Sequence, residues 1–114
     1  MAEYVVNRIQ KITVSGGDAT VSTLAGSNSR GYNDGTGRAA SFYDPKGVAV
    51  GPDGTLYVAD SANHKVRKIT AAGVVTTLAG SSSGGTGSSS DGTGAAAGFN
   101  TPNGIAVSSD GTVY

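Results

Sequence analysis

The sequence predicts an all-β protein built from four-stranded antiparallel meanders. Three observations carry this: short runs rich in Val, Ile, Thr and Tyr, turn dipeptides between them, and an internal repeat. Gly47-Val48-Ala49-Val50-Gly51-Pro52-Asp53-Gly54-Thr55-Leu56-Tyr57 returns 57 positions later as Gly104-Ile105-Ala106-Val107-Ser108-Ser109-Asp110-Gly111-Thr112-Val113-Tyr114. Self-similarity at a fixed period marks a repeat architecture, and each repeat is then one supersecondary unit. The 19 glycines cluster with Ser and Thr between the apolar runs, as many strands joined by turns require.

In the uninterrupted copy the elements follow in order. Gly47–Pro52 is a first strand, and Pro52-Asp53-Gly54 turns the chain, Asp-Gly between apolar runs being a strong hairpin signal. Thr55–Asp60 is a second strand, ending at the polar link Ser61-Ala62-Asn63-His64. Lys65–Thr70 is a third, whose charges fit a partly solvated strand. Ala72-Gly73 leads into a fourth, Val74–Gly80.

The other copy is split between the two ends of the chain. Gly104–Ser109 is its first strand and Asp110-Gly111 its turn; Thr112–Tyr114 with Met1–Glu3 makes its second, Arg8–Thr13 its third and Thr20–Gly26 its fourth. The repeat is therefore circularly permuted, cut inside a strand, with Met1 in the slot of Val58 as an engineered start would stand. Length changes compensate: the hairpin Val14–Ala19 exceeds Ala71–Gly73 by three residues, and Ser27–Asn33 falls short of Ser81–Ser90 by three. The chain divides into residues 1–26, the closing strands of a unit shared with another copy; 27–46, a loop between units; 47–80, a complete unit; 81–103, a Gly/Ser-rich loop; and 104–114, the opening strands of the shared unit. In the loops, Ala39-Ala40 and Ala95–Ala97 predict one helical turn each, with Phe42 and Phe99 as core anchors and Pro45 and Pro102 at the strand entries.

These residues resemble the NHL-repeat family, across essentially the whole chain and twice over. The pattern is Pro-x-Gly-Val/Ile-Ala-Val at Pro45–Val50 and Pro102–Val107, then Asp-Gly-x-Leu/Val-Tyr, Val-Ala-Asp, the Asn63-His64 pair, Arg67-Lys68-Ile69 and Thr77-Leu78-Ala79-Gly80. In the permuted copy Val6-Asn7 replaces the Asn-His pair, a departure. The resemblance implies a β-propeller of four-stranded antiparallel blades around a channel, six blades being the commonest count. Two blades cannot close a ring and would leave two apolar faces exposed. The expectation is a ring closed by homo-oligomerisation: a homotrimer of six blades, or a homotetramer of eight. The seam between chains would fall at Met1, Ala2, Glu3, Thr112, Val113 and Tyr114. Asp60, Asn63, His64, Asn7, Asp53, Gly54, Asp110 and Gly111 are the repeat's structural residues.

Composition excludes several functions. Eight basic and eight acidic residues give zero net charge without a basic stripe, which argues against nucleic acid as partner. There is no cysteine for a thiolate site, and a single histidine removes most His-based zinc sites. No apolar run approaches the roughly 18 residues of a membrane span, no secretory h-region is visible, and the compartment stays open. Gly35-Thr36-Gly37-Arg38-Ala39-Ala40 matches a loose dinucleotide pattern, but Pro45 follows where a long helix is needed and the segment recurs at Gly92–Ala97. Asp34-Gly35 and Asp91-Gly92 each offer one carboxylate where calcium wants six to eight oxygens. His64 reads as a turn residue rather than a base, Asp60 and Glu3 as partners of the Asn-containing turn, and Arg8, Lys11, Arg67 and Lys68 as a solvated outer-strand face. No catalytic residue, metal site or cofactor is expected. The function expected is ring formation by a self-assembling fragment or designed scaffold; the competing expectation is part of a natural NHL domain recognising a protein, glycan or other ligand on one face.

Overall fold

The computed structural model describes residues 7–81 and 87–114. Strands β1 (Ile9–Ser15), β2 (Asp18–Ala25), β3 (Gly35–Thr36), β4 (Pro45–Val50), β5 (Leu56–Asp60), β6 (Lys65–Ile69) and β7 (Val74–Ala79) form two antiparallel sheets. One is the hairpin β1-β2; the other has the order β3-β7-β6-β5-β4. The second is the meander expected for residues 47–80, extended at its outer edge by β3. That extension was invisible in Gly35-Thr36, because a two-residue bridge is made by its neighbour β7 and not by its own propensity.

Alternation gives the central sheet two different faces. Val48 pairs with Val58, Val50 with Leu56, and Leu56 with Ile69, which pairs with Val75. These side chains share one face, and Val58, Ile69 and Val75 join Ala25, Ala40 and Phe42 in the core, with Ile9, Leu24 and Leu56 packed against them. The hairpin β1-β2 therefore covers this face. The opposite face carries Ala59, Val66 and Ala79, and there Ile105, Val113 and Tyr114 approach. Gly47 allows that approach: a Cβ there would collide with the carbonyl oxygen of Asn103. The incomplete repeats at the two ends of the chain thus lie on opposite faces of the complete one.

Each piece repeats the geometry of its counterpart. The β1-β2 register sets Ile9 against Ala25, Gln10 against Thr23 and Ile12 against Val21, with an irregularity between Ile9 and Gln10. The β6-β7 register sets Val66 against Ala79, Arg67 against Thr77 and Ile69 against Val75, with an irregularity between Val66 and Arg67. Residues 104–114 are reduced to a bridge, Val107 to Val113, flanked by reciprocal Ala106–Tyr114 backbone bonds of 2.8 Å. That is the pairing of Val50 with Leu56 and Ala49 with Tyr57, shifted by one repeat. A lone two-stranded pairing is marginal in water, so the expected first strand Gly104–Ser109 is only a bridge here. One-turn 3-10 helices stand at Gly37–Ala39 and Gly94–Ala96, where the loops were expected to turn. Phe42 is buried, whereas Phe99 is half-exposed, since no strands equivalent to β6 and β7 cover it.

Candidate functional site

The polar chemistry of the chain gathers at the joints between repeats. Asp44 and Thr101, each preceding a proline, have φ of 53° and 48°. A left-handed conformation is costly for a non-glycine residue, so something must hold it. The Oδ1 of Asn7 accepts the backbone N–H of Asp44 at 2.8 Å, and the Nδ1 of His64 accepts that of Thr101 at 2.9 Å. Asn7 and His64 occupy equivalent positions, as do Asp44 and Thr101. Each repeat thus holds the strand entry of the next with one side-chain acceptor, and imidazole and carboxamide serve alike. His64 is itself left-handed, φ 54°, and closes the 3-10 turn Ser61–Asn63 by donating its backbone N–H to the Ser61 oxygen at 3.0 Å.

A buried ionic clamp sits inside the complete repeat. Asp60 Oδ1 accepts the backbone N–H of Tyr43 at 2.8 Å, while Oδ2 accepts Asn63 Nδ2 at 2.7 Å and Arg67 Nη1 at 2.8 Å. Arg67 also donates to the carbonyls of Ser41 and Asn33, both at 2.9 Å, and to Asp34 Oδ1 at 2.8 Å. Its guanidinium lies 5.1 Å from the Phe42 ring centroid. Asn63 Nδ2 adds a bond to the Gly31 carbonyl at 2.7 Å. Segment 31–43, which has little regular structure, is therefore fastened to the sheet through its own backbone groups. Burial raises the Asp60 carboxyl above its ordinary value, and its hydrogen bonds and Arg67 oppose the rise. Three donors converge on it, so it is held as the carboxylate.

The clamp corrects the expectation of a solvated charged face. Lys65 and Arg67 are fully buried. Alternation along β6 carries the missed signal: Lys65, Arg67 and the core residue Ile69 share one face. Lys68 stands on the other face and Lys11 is exposed. Among the described residues Lys65 Nζ is buried without a hydrogen-bond partner, 5.3 Å from the Tyr32 ring centroid, and burial and then Arg67 lower its pKa. In the sequence, the repeat that ends in β1-β2 has Gln10 in the slot of Arg67 and Val6 in that of Asn63, residue types that differ from those of the clamp.

The remaining expected positions divide between turns and seam. Asp53 Oδ1 and Asp110 Oδ1 each accept a backbone N–H two residues on, from Thr55 and Thr112, both at 3.0 Å. Gly54 and Gly111, with φ of 84° and 86°, supply the left-handed turn residue that a side chain would strain. Ser108 Oγ also donates to Asp110, whose pKa is lowered to about 2 chiefly by that bond. Thr112 and Tyr114 are exposed and Val113 is half-buried; Met1, Ala2 and Glu3 lie outside the described residues. The His, Asp and Glu of the described residues form no group of three that would hold a metal. No helix among them is long and apolar enough to cross a membrane.

Known proteins are similar to this chain in sequence and in fold. The NHL repeat family matches residues 42–69, which hold Asp60, Asn63 and Arg67 of the clamp and strands β4 to β6. The chain is 46% identical over 59 residues, 51% of its length, to NHL repeat-containing protein 2 of Gallus gallus. Among solved structures, a Bacteroides thetaiotaomicron protein of unknown function superposes with a TM-score of 0.77 at 31% identity, covering 90% of this chain. An auxiliary nutrient binding protein from the same organism superposes equally well, 0.77, at 28% identity over 92% of the chain. The chain spans 8% of the length of the curated relatives it matches, and 25% and 29% of those two solved chains. Residues 42–69 thus carry an NHL repeat, and the all-β fold of antiparallel sheets around them is similar to that of NHL-repeat propellers.

Proposed function

We propose that the chain is a ring-building unit: two NHL-type blades, one complete and one divided, that associate head to tail into a closed propeller. The ring is a homotrimer of six blades, or a homotetramer of eight, without catalytic activity of its own. One observation carries this reading. The third and fourth strands of the divided blade (β1-β2) and its first strand with the start of the second (residues 104–114) lie on opposite faces of the complete sheet. They do not pair with each other in this structure, yet they are complementary in strand order. A contact between two different surfaces propagates, and closes when the rotation per unit permits. The non-catalytic part is supported by how the ionisable groups are engaged: Asp60, Arg67 and His64 all hold backbone groups. Light scattering on the purified chain tests the reading. A discrete mass of three or four chains is expected; a soluble monomer overturns it.

The second reading is a segment of a longer NHL propeller in which neighbouring repeats of the same polypeptide supply the missing strands. It is favoured by the quarter to a third of each solved chain that two repeats occupy. In that setting the propeller is a binding domain, with the loop-bearing face meeting a small nutrient, glycan or protein, as nutrient binding is ascribed to one of the similar structures. A chain that stays monomeric alone, but gains a ligand-dependent melting shift when joined to further repeats, supports this second reading over the first.

A further inference from the structure

We infer that the outer edge of β1 is the docking site for Thr112–Tyr114 of a second copy, antiparallel, with Val113 opposite Ile12 and Tyr114 opposite Lys11. This rests on the assembly reading above and gives it a residue-level register. Besides the two-residue edge pairing of β3 with β7, the complete sheet has three pairings: β4 with β5, β5 with β6, and β6 with β7. Residues 104–114 reproduce the first, and β1-β2 reproduces the last, including the irregularity after its first pair. Only the middle pairing has no counterpart among the described residues. In the complete sheet it sets Leu56 against Ile69 and Tyr57 against Lys68. One repeat later those positions are Val113 with Ile12 and Tyr114 with Lys11. The chemistry is kept at both: an aliphatic pair facing the core, and a tyrosine beside a lysine on the other face.

Packing leads to the same register independently. In the complete repeat, Ile69 and Val75 are buried in one cluster with Ala25, against which Ile9 and Leu24 pack. The counterparts of Ile9, Leu24 and Ala25 are Val66, Leu78 and Ala79, and these three line a cleft of about 270 Å³ on the opposite face, together with Phe99 and Val113. The cleft therefore lacks the counterparts of Ile69 and Val75, which are Ile12 and Val21. Those two residues stand 61% and 56% exposed on β1 and β2. They lie directly opposite each other in the hairpin register, so one docking event delivers both. Pairing in the stated register places them where Ile69 and Val75 sit one repeat earlier. A slip by one residue would turn Ile12 and Val21 away from the cleft.

Cross-linking tests the register, and the absence of native cysteine makes it clean. Chains carrying Ile12→Cys and Val113→Cys together, joined under mild oxidation or by a short bis-maleimide, should give covalent multimers up to the ring size. Val14→Cys with Val113→Cys, two residues off register on the same face, should give at least tenfold less. Hydrogen exchange on the unsubstituted chain supplies a second measure: Lys11 to Thr13 amides should gain protection in the assembled fraction. A discrete oligomer that cross-links better through Val14→Cys, or leaves these amides unprotected, overturns the register while assembly stands. A monomer at all concentrations overturns both.

Discussion

The hairpins β6-β7 and β1-β2 have the same strand register and the same irregularity, yet opposite fates. Ile69 and Val75 are 0% and 1% exposed, while Ile12 and Val21 at the same positions are largely solvated. Nothing in the hairpins themselves accounts for this, since each pair is aliphatic and cross-strand. The difference lies outside them: β6-β7 has β5 at its edge and the loop 31–43 over its face, and β1-β2 has neither among the described residues. In a stacked repeat, burial is conferred by neighbours. The same contrast separates Phe42 from Phe99 and Arg67 from Gln10.

The largest expected effect breaks the clamp on one side of that comparison. Arg67→Ala leaves Asp60 buried with its charge unbalanced and frees the Ser41 and Asn33 carbonyls. Urea unfolding should show a loss of about 3–5 kcal/mol, against about 0.5 kcal/mol or less for Gln10→Ala. Equal losses would mean that the two repeats are not structurally unequal. Next comes the aromatic pair. Phe42→Ala should cost about 3–5 kcal/mol by emptying a sealed core site, and Phe99→Ala about a third of that in a dissociated chain. If the ring forms, raising the concentration should bring the two costs together, which sharpens the comparison into a measure of seam burial.

A smaller effect is expected at the joints. Asn7→Ala removes the acceptor for the Asp44 amide and should cost about 1 kcal/mol, whereas His64→Asn, which exchanges one acceptor for the other repeat's, should stay within about 0.5 kcal/mol. Thermal melts of both variants check this. The smallest effect concerns pH at the turn Ser108–Gly111. The Asp110 carboxyl is lowered to about 2 in the folded chain, from an ordinary value of 3.8. A lowered folded value means that the carboxylate's contribution is complete above about pH 4 and is lost as pH falls toward 2. The Thr112 amide resonance should titrate over that range, and Asp110→Asn should abolish the titration.

The strands were legible in the sequence because period-two alternation and Asp-Gly turns are local signals: β5, β6 and β7 fall within a residue of their expected bounds. The partial repeats at the two ends could be assigned for the same reason. The clamp was not legible as buried. Lys65 and Arg67 read as solvent-facing by residue type, and the groups that make their burial tolerable, the carbonyls of Asn33 and Ser41 and the ring of Phe42, come from a loop more than twenty residues away. The joints were half legible. Asn63-His64 stood out as a motif, but the acceptor role of His64 needed the left-handed Thr101 across from it, and Val6-Asn7 read as a departure although Asn7 keeps the bond.

The placement of the two partial blades on opposite faces of the complete sheet carries a consequence, in the proposed assembly, for how such a chain would behave as concentration rises. Surfaces that fit each other but not themselves gain nothing from a two-fold pairing, and every open oligomer, whatever its length, still ends in one unfilled cleft and one unpaired strand. Only closure removes both ends at once. If the proposed ring forms, intermediates are disfavoured, and the population should divide sharply between single chains and finished rings, with a midpoint set by the final bond. Growth that overshoots the closing geometry has no correcting contact and would continue as a spiral.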